Sequence, residues 1–575
     1  MSALVSGVAK LSPFKSSTRE DDDEERGEQI DGGSISRKSA IPRSQLRVSP
    51  GLKSFLVTQN VLPNDDATTS TNQSEALKAL LDKAPVNVPP SLTDRSHPLP
   101  DYFISSSHNT YLLAHQLYGT SNVSGYTHAL SNGARCVEID VWDAENNKEE
   151  PKVTHGFTLV SHVPFRSVCE TIRDVVDKEA SDPPNAQGYR GGPIFISLEN
   201  HCSAKGQLRL VEIMKEVWGD RLLTKLVRDT ESQDPPSVAD YVRLEELESK
   251  ICLIVEYHLA KEQIGQIEES EDANSETEEE KRAREEYQKK KQATAAAIIP
   301  ELAELGVYAQ SVKPIDNSWF DADSLINGPH HPLINLSETS LVQHVQQKLT
   351  NIARSNNSHL MRVYPKGTRI SSANLMPVPF WNTGAHICAL NWQTFGASVQ
   401  LNEALFGGTD GYVLKPAALR TGGSGKLSTG RTKVLHLQIV GATDTPVPPG
   451  RDANDIKPYV SCTLYHPDDL TGSHPKRKTK PYKHHKIRGL IQGESSPVTD
   501  PIWDETLDWE YEENELVFLR IVLKSDDSFA KNPILAVAAV RLSYVASGWV
   551  FIRMWDLKGR ETPCTLLAKF QFDDL

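Results

Sequence analysis

Between Leu99 and residue 420 the chain repeats one pattern, a strand-length apolar run followed by a helical stretch. The runs are YFISSS (102–107), ARCVEIDVW (134–142), PIFISLE (193–199), KICLIVEY (250–257), GVYAQSV (306–312), HLMRVYP (359–365), HICALNWQ (386–393) and GYVLKP (411–416). Strands that alternate with helices imply a parallel α/β sheet, and seven or eight of them in about 300 residues suit a (β/α)₈ barrel. The pattern breaks once. Residues 267–286 carry ten acids against three bases, and no apolar face can be drawn through them. The reading is therefore a split barrel, with halves at 99–257 and 296–420 joined by an acidic linker at 258–295.

From Thr432 the character changes. VLHLQIV, YVSCTLY, ETLDWEY, VFLRIVL and AVAAVRL alternate between turns of Pro, Gly and Asp, which reads as an antiparallel β-sandwich over 432–575. The Gly/Ser-rich RTGGSGKLSTG at 420–430 is the linker. Ahead of the barrel, residues 1–46 are rich in Ser, Arg and acids and read as disordered. Residues 47–98 hold two helix-like pieces, SPGLKSFL and SEALKALL, the remnant of a helical pair without the ligand pattern of an EF-hand calcium loop.

Composition narrows the function classes. The net charge of −14 speaks against nucleic acid as the main partner. The seven cysteines are scattered, without a CxxC pair, which points to reduced thiols in the cytoplasm. The start, MSALVSGVAKLSPFKSS, lacks the apolar core of a signal peptide, and no apolar stretch is long enough to span a bilayer.

In a parallel barrel the reactive groups sit at the C-terminal ends of strands. His108 and Asn109 follow YFISSS, and Glu138 and Asp140 lie two apart in RCVEIDVW, on one side of that strand. His155 follows KVT, and Glu199 closes PIFISLE. Three carboxylates and an Asn oxygen form a hard-oxygen set suited to calcium or magnesium rather than zinc. Two histidines beside such a metal equip a site for phosphodiester cleavage, which needs charge stabilisation on oxygen and an acid for the leaving group.

SSSHNTYLLAHQL, RCVEIDVWD, THGFTL and ISLENHC closely resemble the X half of eukaryotic phosphoinositide-specific phospholipases C, nearest the delta class. LMRVYPKGTRISSANLMPVPFWNTGAHICALNWQT and GYVLKP resemble the Y half, and the sandwich resembles the family's C2 domain. No pleckstrin-homology segment is evident. The resemblance implies a peripheral membrane enzyme that cleaves phosphoinositide lipids to diacylglycerol and inositol phosphate through a cyclic phosphodiester, with Ca²⁺ as cofactor. It implies Asn109, Glu138, Asp140 and Glu199 as calcium ligands, Glu138 also as base, and His108 and His155 as catalytic. It further implies a substrate pocket of Asn335, Arg362 and Tyr364, and a membrane-dipping rim at Leu117, Phe157 and Leu159, where the family's rim Trp is replaced by Thr368. Two pocket lysines of the family correspond here to Ile254 and Glu256. That departure keeps a catalytically silent lipid-binding scaffold open as an alternative. A glycerophosphodiester phosphodiesterase is a further alternative, disfavoured by the Y-half motifs. In the sandwich, Lys457 and Pro458 stand where calcium-binding members have Asp-Pro. Asp526 and Asp527 remain, so calcium binding there is not expected. The basic run at 474–488, seven Lys or Arg without an acid, suits contact with an anionic membrane surface.

Overall fold

The computed structural model describes residues 28, 30, 37–67, 73–113, 120–144, 150–155, 161–228, 241–256, 297–312, 319–320, 331–366, 369, 372–484, 496–526 and 533–575. Eight parallel strands close a barrel: β1 (Tyr102–Ser107), β2 (Cys136–Trp142), β3 (Ile194–His201), β4 (Ile251–Glu256), β5 (Gln310–Val312), β6 (Pro332–Ser337), β7 (Leu360–Tyr364) and β8 (Ile387–Leu390). Strand β1 completes the ring by pairing in parallel with β8 and, at Ser106 opposite Cys136, with β2.

Membership of the ring differs from the sequence expectation at one place. GYVLKP forms β9 (Tyr412–Leu414), which runs antiparallel to the start of β1. The parallel strand in its stead is PLINLS, the β6 that pairs β5 and β7. An apolar run of three to six residues does not encode the direction of its partner; tertiary pairing does.

Along each strand the side chains alternate between two destinations. Phe103, Val137, Ile196, Leu253, Ile334 and Met361 face outward into the core shared with the helices. Tyr102, Cys136, Phe195, Ile254, Leu333 and Leu360 fill the barrel interior. Following each inward row toward the C-terminal end, the residues turn polar: Cys136 leads to Glu138 and Asp140, Phe195 to Glu199, Leu333 to Asn335, and Leu360 to Arg362. The packed interior thus floors a polar rim.

Helix α3 (Ser124–Ser131) follows β1, and α4 (Phe165–Ser181) and α5 (Ala204–Trp218) follow β2 and β3. Their buried residues recur every three or four positions, as in Phe165, Val168, Cys169, Ile172 and Val176. Helices α6 (Glu338–Ser355) and α7 (Ala397–Phe406) cover the second half.

The C-terminal domain is an eight-stranded antiparallel assembly: β10 (Thr432–Thr443), β11 (Pro458–Tyr465), β12 (Lys476–Lys478), β13 (Ile502–Glu512), β14 (Phe518–Ser525), β15 (Ile534–Arg541), β16 (Gly548–Trp555) and β17 (Glu561–Asp574). It docks on the barrel through Phe518 against Trp381 and through Arg520 Nε, which donates to Gln400 Oε1 at 2.7 Å. Helices α1 (Pro50–Thr58) and α2 (Glu75–Asp82) pair on the outside of that domain, where Leu52, Leu56, Leu77 and Leu81 pack against Val440, Phe551 and Leu567.

Residues 37–46 depart from the expected disorder of 1–46. Arg37 and Leu46 are buried, and Glu561 N donates to the Arg37 carbonyl at 2.8 Å. Composition missed this because the partners lie hundreds of residues away.

Candidate active site

The parallel register of β2 and β3 sets Glu138 beside Ser197 and Asp140 beside Glu199. One oxygen from each of Glu138, Asp140 and Glu199 falls within 4.8 Å of the others, with the first two buried and the third half-buried. Asn109 lies just past β1 with φ +44°, a left-handed conformation that Asn tolerates better than most residues. The turn aims its backbone N–H at Glu138 Oε2, at 2.9 Å. The Tyr111 hydroxyl lies 2.6 Å from Asp140 Oδ2 and 3.2 Å from Asn109 Oδ1, so it ties a ligand candidate on β2 to one in the turn after β1.

The only described cation paired with Glu138 besides a histidine is Arg362 on β7, whose Nη2 is 2.7 Å from Glu138 Oε1. Burial opposes the charge on this guanidinium. The adjoining carboxylate outweighs burial, and the pKa is raised above the usual arginine value. Arg362 Nη1 donates to Asn335 Oδ1 at 3.2 Å, the β6 neighbour directly in register, and its guanidinium carbon lies 5.5 Å from the centre of the Tyr364 ring.

The two histidines take different positions. His108 Nδ1 is 2.9 Å from Asn391 Oδ1. The Asn391 amide Nδ2 donates to Ala373 O, which leaves Oδ1 as an acceptor and so puts the histidine proton on Nδ1. Nε2 then faces Glu138 Oε2 across 3.8 Å. Burial lowers the His108 pKa, partly opposed by Glu138. His155 is half-buried, with Nε2 3.2 Å from Asn109 Nδ2.

The structure therefore brings together His108, Asn109, Glu138, Asp140, His155, Glu199, Asn335 and Arg362, with Tyr364 alongside. Leu117, Phe157, Leu159, Thr368 and Asp527 lie outside the described residues. Ile254 is 2% exposed within the barrel interior, in register with Ser197, and Glu256 is half-buried two residues nearer the rim. Sequence reasoning passed over Tyr111, Asn391, Gln393 and His201. Gln393 Nε2 donates to Asn109 O at 3.0 Å, and His201 stacks on Trp142 with Nε2 3.2 Å from Glu199 Oε1. Asn391 was within reach of the strand-end rule, since it follows β8 directly.

Three converging carboxylates with one arginine among them form an anionic, oxygen-rich cluster able to hold a metal ion. Their chemistry fits a hard divalent cation, because carboxylate and amide oxygens suit calcium or magnesium.

Family models match three parts of the chain. "Phosphatidylinositol-specific phospholipase C, X domain" covers residues 95–257, the corresponding Y domain covers 302–418, and a C2 domain covers 433–553. The chain is 32% identical over 496 residues to the Mus musculus protein named 1-phosphatidylinositol 4,5-bisphosphate phosphodiesterase delta-3, covering 84% of this chain and 58% of that one. It is 29% identical to 1-phosphatidylinositol 4,5-bisphosphate phosphodiesterase 1 of Candida albicans, covering 83% of this chain and 48% of that one. It thus spans about half the length of the curated relatives it matches. The crystal structure of L. pealei PLC21 superposes with a TM-score of 0.66 at 23% identity, covering 96% of this chain and 65% of that chain, a likeness of fold.

Proposed function

The chain belongs to the phosphatidylinositol-specific phospholipase C family, and from that membership we propose a calcium-dependent phosphodiesterase that cleaves phosphoinositides to diacylglycerol and an inositol phosphate. The observation that carries the reading is the convergence of Glu138, Asp140 and Glu199 within 4.8 Å, beside two histidines on the same rim. Asn109, Glu138, Asp140 and Glu199 would hold the calcium ion, which when bound lowers the pKa of a nearby hydroxyl and offsets charge on the phosphoryl group.

The chain's own groups then divide the proton transfers. Glu138 accepts the proton of the inositol 2-hydroxyl, whose oxygen attacks the adjacent phosphorus to give the cyclic phosphodiester. His155 delivers a proton to the departing diacylglycerol oxygen, then takes one from the water that opens the ring. His108 uses its Nδ1 proton in the hydrogen bond to Asn391 Oδ1, so Nε2 can donate to a phosphoryl oxygen only when the ring is cationic. An anionic phosphodiester favours that form and offsets the burial that lowers this pKa. Arg362 and Tyr364 bind phosphate and ring, with Asn335 steadying the guanidinium.

Membrane contact has support from the C2 domain. All three residues of edge strand β12, Lys476, Arg477 and Lys478, are exposed, as are Lys480 and Lys483. Five cations over eight residues suit a peripheral hold on anionic lipid. No described helix is long and apolar enough to cross a membrane. Asp526 N donates to the Lys457 carbonyl at 2.9 Å, which sets the Lys457-Pro458 pair, where calcium-binding members of the family have Asp-Pro, beside the loop that keeps Asp526. With a lysine in place of that carboxylate, the calcium of this reading belongs to the barrel.

Calcium-dependent release of water-soluble inositol phosphates from vesicles of defined composition tests the reading. Ile254 and Glu256 favour the second reading, a silent scaffold. Vesicle binding without release from any phosphoinositide would select it.

A further inference from the structure

Arg37, from the segment ahead of the helical pair, reaches the catalytic rim from behind. It is 8% exposed, and its Nη1 lies 3.1 Å from Glu403 Oε2 on α7. Its guanidinium carbon sits 5.1 Å from the centres of both the Trp392 and Phe395 rings. A desolvated guanidinium over two aromatic faces and beside a carboxylate is held on three sides. Its backbone is held as well. Glu561 N on β17 donates to the Arg37 carbonyl at 2.8 Å, and Ser39 N donates to Glu561 Oε2 at 2.9 Å.

Trp392 stands between two residues that grip the catalytic loop. Asn391 Oδ1 accepts from His108 Nδ1 at 2.9 Å, and Gln393 Nε2 donates to Asn109 O at 3.0 Å. Trp392 Nε1 itself donates to Ser106 O at 3.0 Å. Three successive residues therefore fix the end of β1 and the two residues after it. The same segment makes a second contact with this turn, since Ile30 N donates to Gln393 O at 2.8 Å.

We propose that Arg37 is a positioning residue for the reaction: it holds the 391–393 turn, and that turn sets the orientation of His108 and the placement of Asn109. Loss of the guanidinium leaves Trp392 without its cover and Glu403 without its hydrogen-bonded cation, so the turn relaxes. A displacement of about 1 Å at reacting groups costs on the order of 100-fold in rate. The activity readout rests on the proposed phospholipase function; the calcium readout does not.

The test uses the full chain as parent, Arg37→Ala, Arg37→Lys and Glu403→Gln. Turnover and KM are measured on phosphoinositide vesicles, calcium affinity by titration calorimetry without lipid, and folding by thermal melting. Arg37→Ala should lower kcat at least about tenfold with KM within about twofold when calcium is saturating, because the Arg362 and Tyr364 pocket is untouched. It should also weaken calcium binding about threefold or more through Asn109. Arg37→Lys, which keeps the charge but cannot lie flat across both rings, should fall between parent and Ala. A purely structural role predicts a lower melting temperature with kcat and calcium affinity of the folded protein unchanged, and that result overturns the proposal. Should Arg37→Ala fail to fold, parental kcat and calcium affinity in both Arg37→Lys and Glu403→Gln overturn it equally. A parent without turnover refutes the enzyme reading, and the calcium comparison still decides the role of Arg37.

Discussion

Replacing Arg362 by Met keeps the bulk of the side chain and removes its charge from the middle of the candidate site. The Arg362 and Glu138 side chains are 3% and 5% exposed and 2.7 Å apart, so neither charge has water to fall back on. At an effective dielectric of about 20, unit charges about 4 Å apart attract by about 4 kcal/mol. Desolvation offsets part of this in the intact protein, whereas breaking the pair leaves Glu138 buried beside Asp140 and Glu199 with its cation gone. The expected cost to the calcium-free protein is therefore about 3–5 kcal/mol. Glu138→Gln removes the partner charge, so the double variant should be less destabilised than the sum of the two single variants, with a coupling of about 2 kcal/mol or more. The assay is hydrogen exchange at the β2 and β7 amides, which reports opening of the barrel rather than of the whole multidomain chain. A cost below about 1 kcal/mol for Arg362→Met, or strict additivity in the double variant, would refute the view that this pair balances the site's charge.

Glu199→Gln and Asp140→Asn should each raise the calcium concentration needed for turnover or abolish it, since each removes a charged hard ligand; normal activity at low calcium would refute the ligand assignment. His155→Ala should be deficient both in forming and in opening the cyclic product, as read from the ratio of cyclic to open inositol phosphate. Glu256→Lys should increase preference for phosphatidylinositol 4,5-bisphosphate over phosphatidylinositol in a vesicle competition assay, by roughly the 1.5–3 kcal/mol of a hydrogen bond to a charged group. The same change at Ile254 is expected to destabilise the protein instead, because that side chain lies in the apolar barrel interior. Burial, reinforced by the Arg37 charge, brings the His128 pKa down to about 4 from 6.5. A histidine with a depressed folded pKa contributes stability present above its unfolded pKa and lost as pH falls toward the folded value. His128→Gln should therefore lose less stability than the parent between pH 7 and pH 4, by up to about 3 kcal/mol in acid unfolding.

The rim was legible because two local periodicities agree there. Strand alternation places Glu138 and Asp140 on one side, and the same inward row carries Glu199 on the neighbouring strand. What failed was information held in pairing rather than in composition. GYVLKP and PLINLS are both plausible strands, and only the closed ring decides which runs parallel. The setting of Ile254 was likewise hidden. Its place on the inward row follows from alternation, but its depth below the rim depends on register with Ser197. Arg37 carried no signal at all, since one arginine in a polar stretch has no period and its aromatic partners stand more than 350 residues later.

The ring of strands is assembled from two separated lengths of chain, and each leaves edges that only the other can cover. Strand β1 of the first length is flanked on one side by β8 of the second and is further clasped by β9, while β4 finds its outer partner in β5. The division also runs through the chemistry. The three carboxylates and both histidines come from the first length, and the arginine that offsets them comes from the second. Severing the connection between residues 257 and 296 should thus yield a nicked but undivided particle. Two separately synthesised pieces would have reason to find each other, for each carries bare strand edges and one holds a buried negative cluster that the other neutralises.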